Sequence, residues 1–233
     1  GTYEHQRTGY SSTSESAPLI GSSLLYQTSD GKRVWESGSY YSWVGRAALN
    51  YMIGRNNLYA SISRGRRPAV IAFNNCPDEV TRLKPEIIVS YEMGIKGVVL
   101  DSRLSYDLSL FYYDWSHFQS SRLTTDDNGT KKYVADDAGK AHSLGAEVGL
   151  RYTFSPEVSV FGNYAYIDGK FNDEDGNGHV QEYAGNRFRL TPKSAAAVGI
   201  DVTLPVSRQA TLYFRPTYSY KSKVYFENEN SEL

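Results

Sequence analysis

Residues 90–115 read SYEMGIKGVVLDSRLSYDLSLFYYDW, rich in Leu, Val, Ile and Tyr yet carrying Glu92, Lys96, Arg103 and Asp107 at intervals. In an extended chain successive side chains point to opposite faces, so residues two apart share a face. On that rule Val89, Tyr91, Met93, Ile95 and Val99 oppose Ser90, Glu92, Gly94 and Lys96. After a turn, Leu104, Tyr106, Leu108, Leu110 and Tyr112 oppose Ser105, Asp107 and Ser109. The stretch reads as two strands with one wholly apolar face and one polar, charged face.

The same period of two runs outward along the chain. Leu144, Ala146, Val148, Leu150, Tyr152 and Phe154 alternate with Gly145, Glu147, Gly149, Arg151 and Thr153. Leu190, Ala196, Val198, Ile200, Val202 and Leu204 alternate with Arg189, Lys193, Gly199, Asp201 and Thr203. Further strands are expected at Ala47–Ile53, at Leu58–Ile62 and at Leu212–Tyr220. Tight turns are expected at 54–57, 100–103, 154–157 and 204–209, with long links at roughly 11–38, 66–84, 121–135, 171–186 and a tail from 225. One end of the strands is therefore trimmed and the other rich in loops, the asymmetry of outer-membrane barrels.

Composition narrows the classes further. A net charge of −1 with no block of Lys and Arg offers nothing to neutralise a phosphate backbone, which argues against nucleic acid as a partner. Twenty Tyr and three Trp against two Met suit strands and boundaries between an apolar and a wet phase. No apolar run reaches the ~18 residues of a transmembrane helix, but a barrel signals by alternation and passes unseen through such a window. Cys76 is alone, so no disulfide forms within the chain. The N-terminus has no secretion signal and the C-terminus stops in polar residues, so both ends read as cut.

A soluble antiparallel sandwich also alternates apolar and polar residues. Against it stand strand lengths beyond the five or six residues usual in globular sheets and sufficient to cross a bilayer at a tilt. The near absence of charge on the apolar rows points the same way, because Arg or Lys at mid-membrane on a lipid face costs about 2–4 kcal/mol. The expected class is all-β, a transmembrane antiparallel β-barrel, with lipid on the apolar rows and a wet or filled lumen on the others.

Five segments in series then carry a resemblance: LKPEIIVSYEMGIKGVVLDSRLSYDLSLFYYDW, AGKAHSLGAEVGLRYTF, FGNYAYIDGKF, AGNRFRLTPKSAAAVGIDV and PTYSYKSKVYF. Their order and spacing resemble successive hairpins of TonB-dependent outer-membrane receptors, from about Tyr59 onward and more weakly before it. The resemblance implies a barrel of about 22 strands with a plug domain in its lumen. Residues 1–233 would be one partial barrel domain, about nine of those strands, without the plug, the TonB-contacting segment or the last strands. It implies a Gram-negative outer-membrane location. It also implies active import of a scarce ligand, most readily a ferric siderophore, with energy arriving from the TonB complex through the plug. A carbohydrate, vitamin or haem remains an alternative ligand, and a passive porin-like barrel an alternative class. Outer-membrane lipid and lipopolysaccharide are the expected surroundings.

The residues themselves show no catalytic constellation. His5, His117, His142 and His179 are widely spaced, and there is no G-x-S-x-G, P-loop or dinucleotide motif. A barrel enzyme would need a dyad at the rim, and Asp114 lies on the opposite parity from His117. Asp173, Asp175, Asn177 and Gly178 copy the start of a calcium loop, but its twelfth position is Ala184, so a solvated turn is favoured and no metal is expected. No cofactor is expected either. Keeping the polar parity to the loop end places Arg67, Tyr113, Trp115, His117 and Lys221 at the mouth. Cationic and aromatic groups there would suit an anionic, aromatic ligand.

Overall fold

The computed structural model describes residues 2–10, 34–73, 80–125, 129, 131–175 and 177–231. Cys76 lies outside them, as does most of the first long link. The described residues contain strands and turns, and no helix long and apolar enough to cross a membrane, which says nothing of crossing by strands. In chain order the strands are β1 (Thr2–Tyr10), β2 (Val34–Ser42), β3 (Gly45–Ile53), β4 (Asn56–Arg67), β5 (Val70–Phe73), β6 (Val80–Leu83), β7 (Glu86–Val99) and β8 (Leu104–Ser116). They continue as β9 (Gln119–Thr125), β10 (Lys131–Asp137), β11 (Ala141–Ser155), β12 (Val158–Phe171), β13 (Ser194–Pro205), β14 (Thr211–Phe214) and β15 (Thr217–Lys221).

The chain divides into two units. One comprises Arg46–Ser63, Val89–Asp114 and Ala141–Leu233, the other Gly1–Gly45, Arg64–Ile88 and Trp115–Lys140. The first unit holds most of a nine-stranded antiparallel sheet in the order β14-β13-β12-β11-β8-β7-β4-β3, with β15 also on β13. Short turns close the pairs β3–β4, β7–β8, β11–β12 and β13–β14, while longer segments lead from β4 to β7, from β8 to β11 and from β12 to β13. Gly54 takes φ +58°, Leu100, Asp101 and Ser102 all lie at positive φ, and Pro156-Glu157 closes β11 onto β12. All four expected tight turns are present.

Register fixes the faces. Val148 pairs with Tyr164 and Leu150 with Gly162, while Val198 also pairs with Gly162 and Ala196 with Tyr164, so the apolar rows of three strands coincide. β14 and β15 extend that row: Phe214 meets Val202, Tyr218 meets Val198 and Tyr220 meets Ala196. They are one strand in one register, broken at Arg215–Pro216 because Pro216 has no N–H to give to the ladder. The carbonyl of Pro216 still accepts the Ile200 amide at 3.2 Å.

The apolar row is the outside of the sheet. Met93, Leu110, Leu144 and Leu150 are 45–58 % exposed, and large apolar residues of every strand in the sheet share that state. Burying one such side chain is worth about 1.5–3 kcal/mol, so water is the wrong medium for this face and hydrocarbon the right one. The polar face is packed differently, with large rings lying over glycines. A Cβ on Gly145 would stand 2.2 Å from the Phe111 ring, and one on Gly199 2.5 Å from the Phe161 ring. Only glycine admits these rings against the sheet.

At the loop end of this unit, Phe171 packs on Tyr183 and Phe188 with centroids 5.4 and 5.3 Å away. Phe171 and Tyr183 are almost fully buried. The segment from 172 to 193 is tied to the chain near 225–230. The Leu190 amide donates to the Tyr225 carbonyl at 2.7 Å, and Asn230 Oδ1 accepts the Arg187 amide at 2.7 Å. This overturns the expected strand start. Residues 188–193 are turn, Leu190 has φ +55°, and β13 begins at Ser194, so Arg189 and Leu190 belong to no alternating row. Packing around Phe171 outweighs the local alternation.

The second unit is built from hairpins β1–β2, β5–β6 and β9–β10. Three of the expected long links are thus partly strand. Gln6 Nε2 donates to the Ala69 carbonyl at 2.6 Å and Arg66 pairs with Glu4 at 2.5 Å, tying β1 to the chain entering β5. Hydrogen bonds from Gln6 and Arg66 hold the Glu4 carboxyl below the usual carboxylate range. Its buried groups include Ala69, Ile71, Leu83 and Val134.

Candidate functional site

In the unit of hairpins, the polar parity leads Arg67 to a knot centred on Gln119, which is 5 % exposed. Gln119 Nε2 donates to the carbonyls of Pro68 and Lys84, at 2.7 and 2.9 Å. Its amide donates to Glu86 Oε2 at 2.8 Å and its carbonyl accepts from Arg67 Nη1 at 3.1 Å. Arg67 lies 3.8 Å from the same Glu86 oxygen and remains 61 % exposed on its side chain. Burial pushes the Glu86 carboxyl up, against the Gln119 amide and Arg67, which favour its charged form. The knot fixes the start of β9 against the ends of β4 and β6 while leaving a guanidinium in the open.

His117 takes φ +56°, uncommon for a side-chain-bearing residue, and ends β8. Its Nδ1 pairs with Asp137 Oδ2 at 2.8 Å, and Asp137 Oδ1 accepts the Gly139 amide at 3.0 Å. The Phe118 amide donates to the Gly139 carbonyl at 2.8 Å, so both strands of the hairpin change direction at one level. Beyond that break the strand parity no longer runs on from β8. Trp115 meets Phe118 edge-on, with centroids 5.8 Å apart. Arg67 is thus tied to the β8–β9 segment at the Gln119 carbonyl, and His117 of that segment is tied to Asp137.

Tyr113 and Lys221 belong to the other unit. Tyr113 stacks on Phe111 at 4.8 Å. Lys221 stands opposite Ala195 on the polar face and lines a cavity of about 670 Å³ with Tyr59, Glu92, Asp107 and Glu147. Nearer the tight turns a second cavity of about 570 Å³ is lined by Arg55, Lys96, Asp107, Arg151, Phe161 and Asn163, among others. Carboxylates therefore dominate the tier nearer the loops and cations the tier nearer the turns.

The calcium-like loop is a self-satisfied turn. Asp175 Oδ1 accepts the Asn177 amide at 2.7 Å and the His179 amide at 3.0 Å, which lowers its pKa to about 2. Among the described residues no group of three or more His, Cys, Asp or Glu is placed to hold a metal ion. Sequence reasoning missed Gln119 and Glu86. A glutamine between loop residues carries no pattern, and only Pro85, which favours extended backbone before it, marks the entry to β7.

A profile of the family described as TonB dependent receptor-like, beta-barrel matches residues 3–232. The chain belongs to that family, and its sheet is part of a barrel of the Gram-negative outer membrane, unclosed within this length. It is similar to the probable TonB-dependent receptor BfrD of Bordetella pertussis, at 28 % identity over 52 % of this chain and 17 % of that protein. Among solved structures it is similar to the ferric yersiniabactin uptake receptor FyuA of Yersinia pestis, with TM-score 0.65 and 18 % identity over 85 % of this chain. It is also similar to the siderophore receptor PiuA of Acinetobacter baumannii, with TM-score 0.61 and 20 % identity over 88 %. The chain spans 28 % and 29 % of those two structures.

Proposed function

We propose that the intact protein imports a ferric siderophore across the outer membrane, driven by TonB through a plug domain, with no bond made or broken. The observation that carries this reading is the loop-end chemistry. An exposed Arg67 guanidinium donates to the carbonyl of the buried Gln119, and Trp115, Phe118 and His117 lie on the β8–β9 segment, where Gln119 begins β9. A cation and aromatic faces suit an anionic, aromatic iron chelate. FyuA, named for ferric yersiniabactin uptake, and PiuA, named a siderophore receptor, support the choice of ligand class.

Ligand contacts are assigned to Arg67, Trp115 and His117 in the unit of hairpins and, separately, to Tyr113 and Lys221 in the other unit. On the lipid side, Tyr164 and Tyr166 sit below Lys170 and Lys193, which share Asp168 at 3.6 and 3.4 Å. These two ammonium groups face the phosphates of lipopolysaccharide.

Uptake of radioactive iron by cells expressing the intact protein, supplied as ferric siderophores of different chemistry, tests the reading. Uptake of at least one chelate, abolished by loss of TonB and reduced several-fold by Arg67→Ala with Trp115→Ala, is expected. Uptake of none, with TonB-dependent growth on a sugar or vitamin instead, would overturn it.

A further inference from the structure

On the polar face near the tight turns, two arginines share one carboxylate. Arg151 Nη1 lies 2.7 Å from Asp201 Oδ2 and 2.6 Å from Ser159 Oγ, while Arg215 Nε pairs with Asp201 Oδ1. Both guanidiniums lie over the Phe161 ring, at 5.4 and 5.9 Å from its centroid. That ring is itself locked flat over Gly199, whose missing side chain makes the room.

The arrangement has three consequences. One carboxylate cannot neutralise two guanidiniums, so a positive charge is left over. The described contacts use Nη1 of Arg151 and Nε of Arg215, so other donors of both planar forks stay open. The side chains are 42 % and 66 % exposed, and the adjoining cavity adds Arg55 and Lys96 against Asp107 alone. Two partly solvated guanidiniums on one carboxylate are an arrangement that binds an oxyanion by paired hydrogen bonds. Simple neutralisation of Arg151 would need only Asp201; Arg215 on the same carboxylate supplies the excess.

We propose that Arg151 and Arg215, seated on Phe161 and held by Asp201, form an anion subsite on the lumen wall near the turn end, taking a carboxylate or phosphate group of a small solute. The site rests on the lumen-facing assignment of this row and not on which ligand is imported, so failure of the siderophore reading leaves it standing.

Crystals of the intact receptor soaked in selenate, with anomalous data at the selenium edge, test it. The expected result is a selenium peak bridging the two guanidiniums, lost in both Arg151→Gln and Arg215→Gln, each checked for a folded barrel by its heat-modifiable mobility on gels. Two variants are used because Arg151 also braces Ser159, whereas Arg215 lies at the break between β14 and β15 and is the less structural of the pair. No peak in the wild type, or a peak that survives both substitutions, would overturn the proposal. So would a carboxylate of the receptor's own chain seated on the pair.

Discussion

The two faces of the nine-stranded sheet are built from neighbouring residues of the same strands, yet they obey opposite rules. On one, Met93, Leu110, Leu144, Leu150 and Ile200 stand in the open. On the other, Glu92, Asp107, Glu147, Arg151 and Asp201 are interleaved with glycines under aromatic rings. In a soluble sheet the apolar face is the covered one and the polar face the bare one. Here the polar side chains pair with each other while the apolar ones wait for a solvent that is not water, which is the arrangement that a lipid-embedded wall around a hydrated lumen requires.

Charge placed on either face gives the largest contrast. Val148 and Asn163 lie on the adjoining β11–β12 pair, on opposite faces. Val148→Arg is expected to cost about 2–4 kcal/mol and to block assembly of the intact barrel, while Asn163→Arg is tolerated. Refolding yield, read as the heat-modifiable band, checks both, and equal loss in the two variants would break the contrast between the faces.

Steric substitution sharpens the polar face. Gly145→Ala forces a methyl to within 2.2 Å of Phe111 and 2.8 Å of the Tyr166 carbonyl, with an expected loss of about 1–3 kcal/mol. Gly149→Ala, whose Cβ would stand 3.2 Å from Asn163 Oδ1, is expected to cost much less. Denaturant midpoints of the refolded receptor measure the difference, and Phe111→Ala should recover part of the Gly145→Ala loss.

In the unit of hairpins the effects become local. Gln119→Leu strips the carbonyls of Pro68 and Lys84 of their shared donor, a loss of about 1–3 kcal/mol for each group left unpaired. Faster amide exchange in β5 and β6 is expected, with the spanning strands unchanged.

The smallest effect concerns acid. Asp175 has its folded pKa depressed from 3.8 to about 2, so its contribution is present above the unfolded value and fades as pH falls from about 4 through 2. Protection of the Asn177 and His179 amides should persist at pH 4 and disappear near pH 2, and Asp175→Ala should remove it at every pH.

Much of the wall was legible because one physical rule governs it. A lipid face excludes charge at every second residue, and that constraint marks Leu144 to Phe154 or Val198 to Leu204 without knowledge of neighbours. The tight turns were legible for a related reason, since Gly54 and Pro156 punctuate the alternation. Beyond the apolar band the rule ends. Residues 188–193 alternate in sequence but fold as a turn around Phe171 and Phe188, and the β5–β6 and β9–β10 hairpins stand where links were expected. The candidate site was legible only in part. Parity carries Tyr113 and Lys221 along their strands, but at His117 the backbone turns to positive φ and parity ceases to apply. Gln119 works through backbone carbonyls far apart in sequence, so nothing local announces it.

Nitroxide labels placed singly at residues 143 to 154 of β11, in the intact receptor with Cys76 replaced and reconstituted in lipid vesicles, separate a lipid-facing row from a water-facing one. Collision with dissolved oxygen should peak at 144, 146, 148, 150, 152 and 154, and collision with a water-soluble nickel chelate at the positions between them. Accessibility without a period of two, or with the phases exchanged, would contradict a lipid-facing apolar row and with it the barrel wall described for this chain.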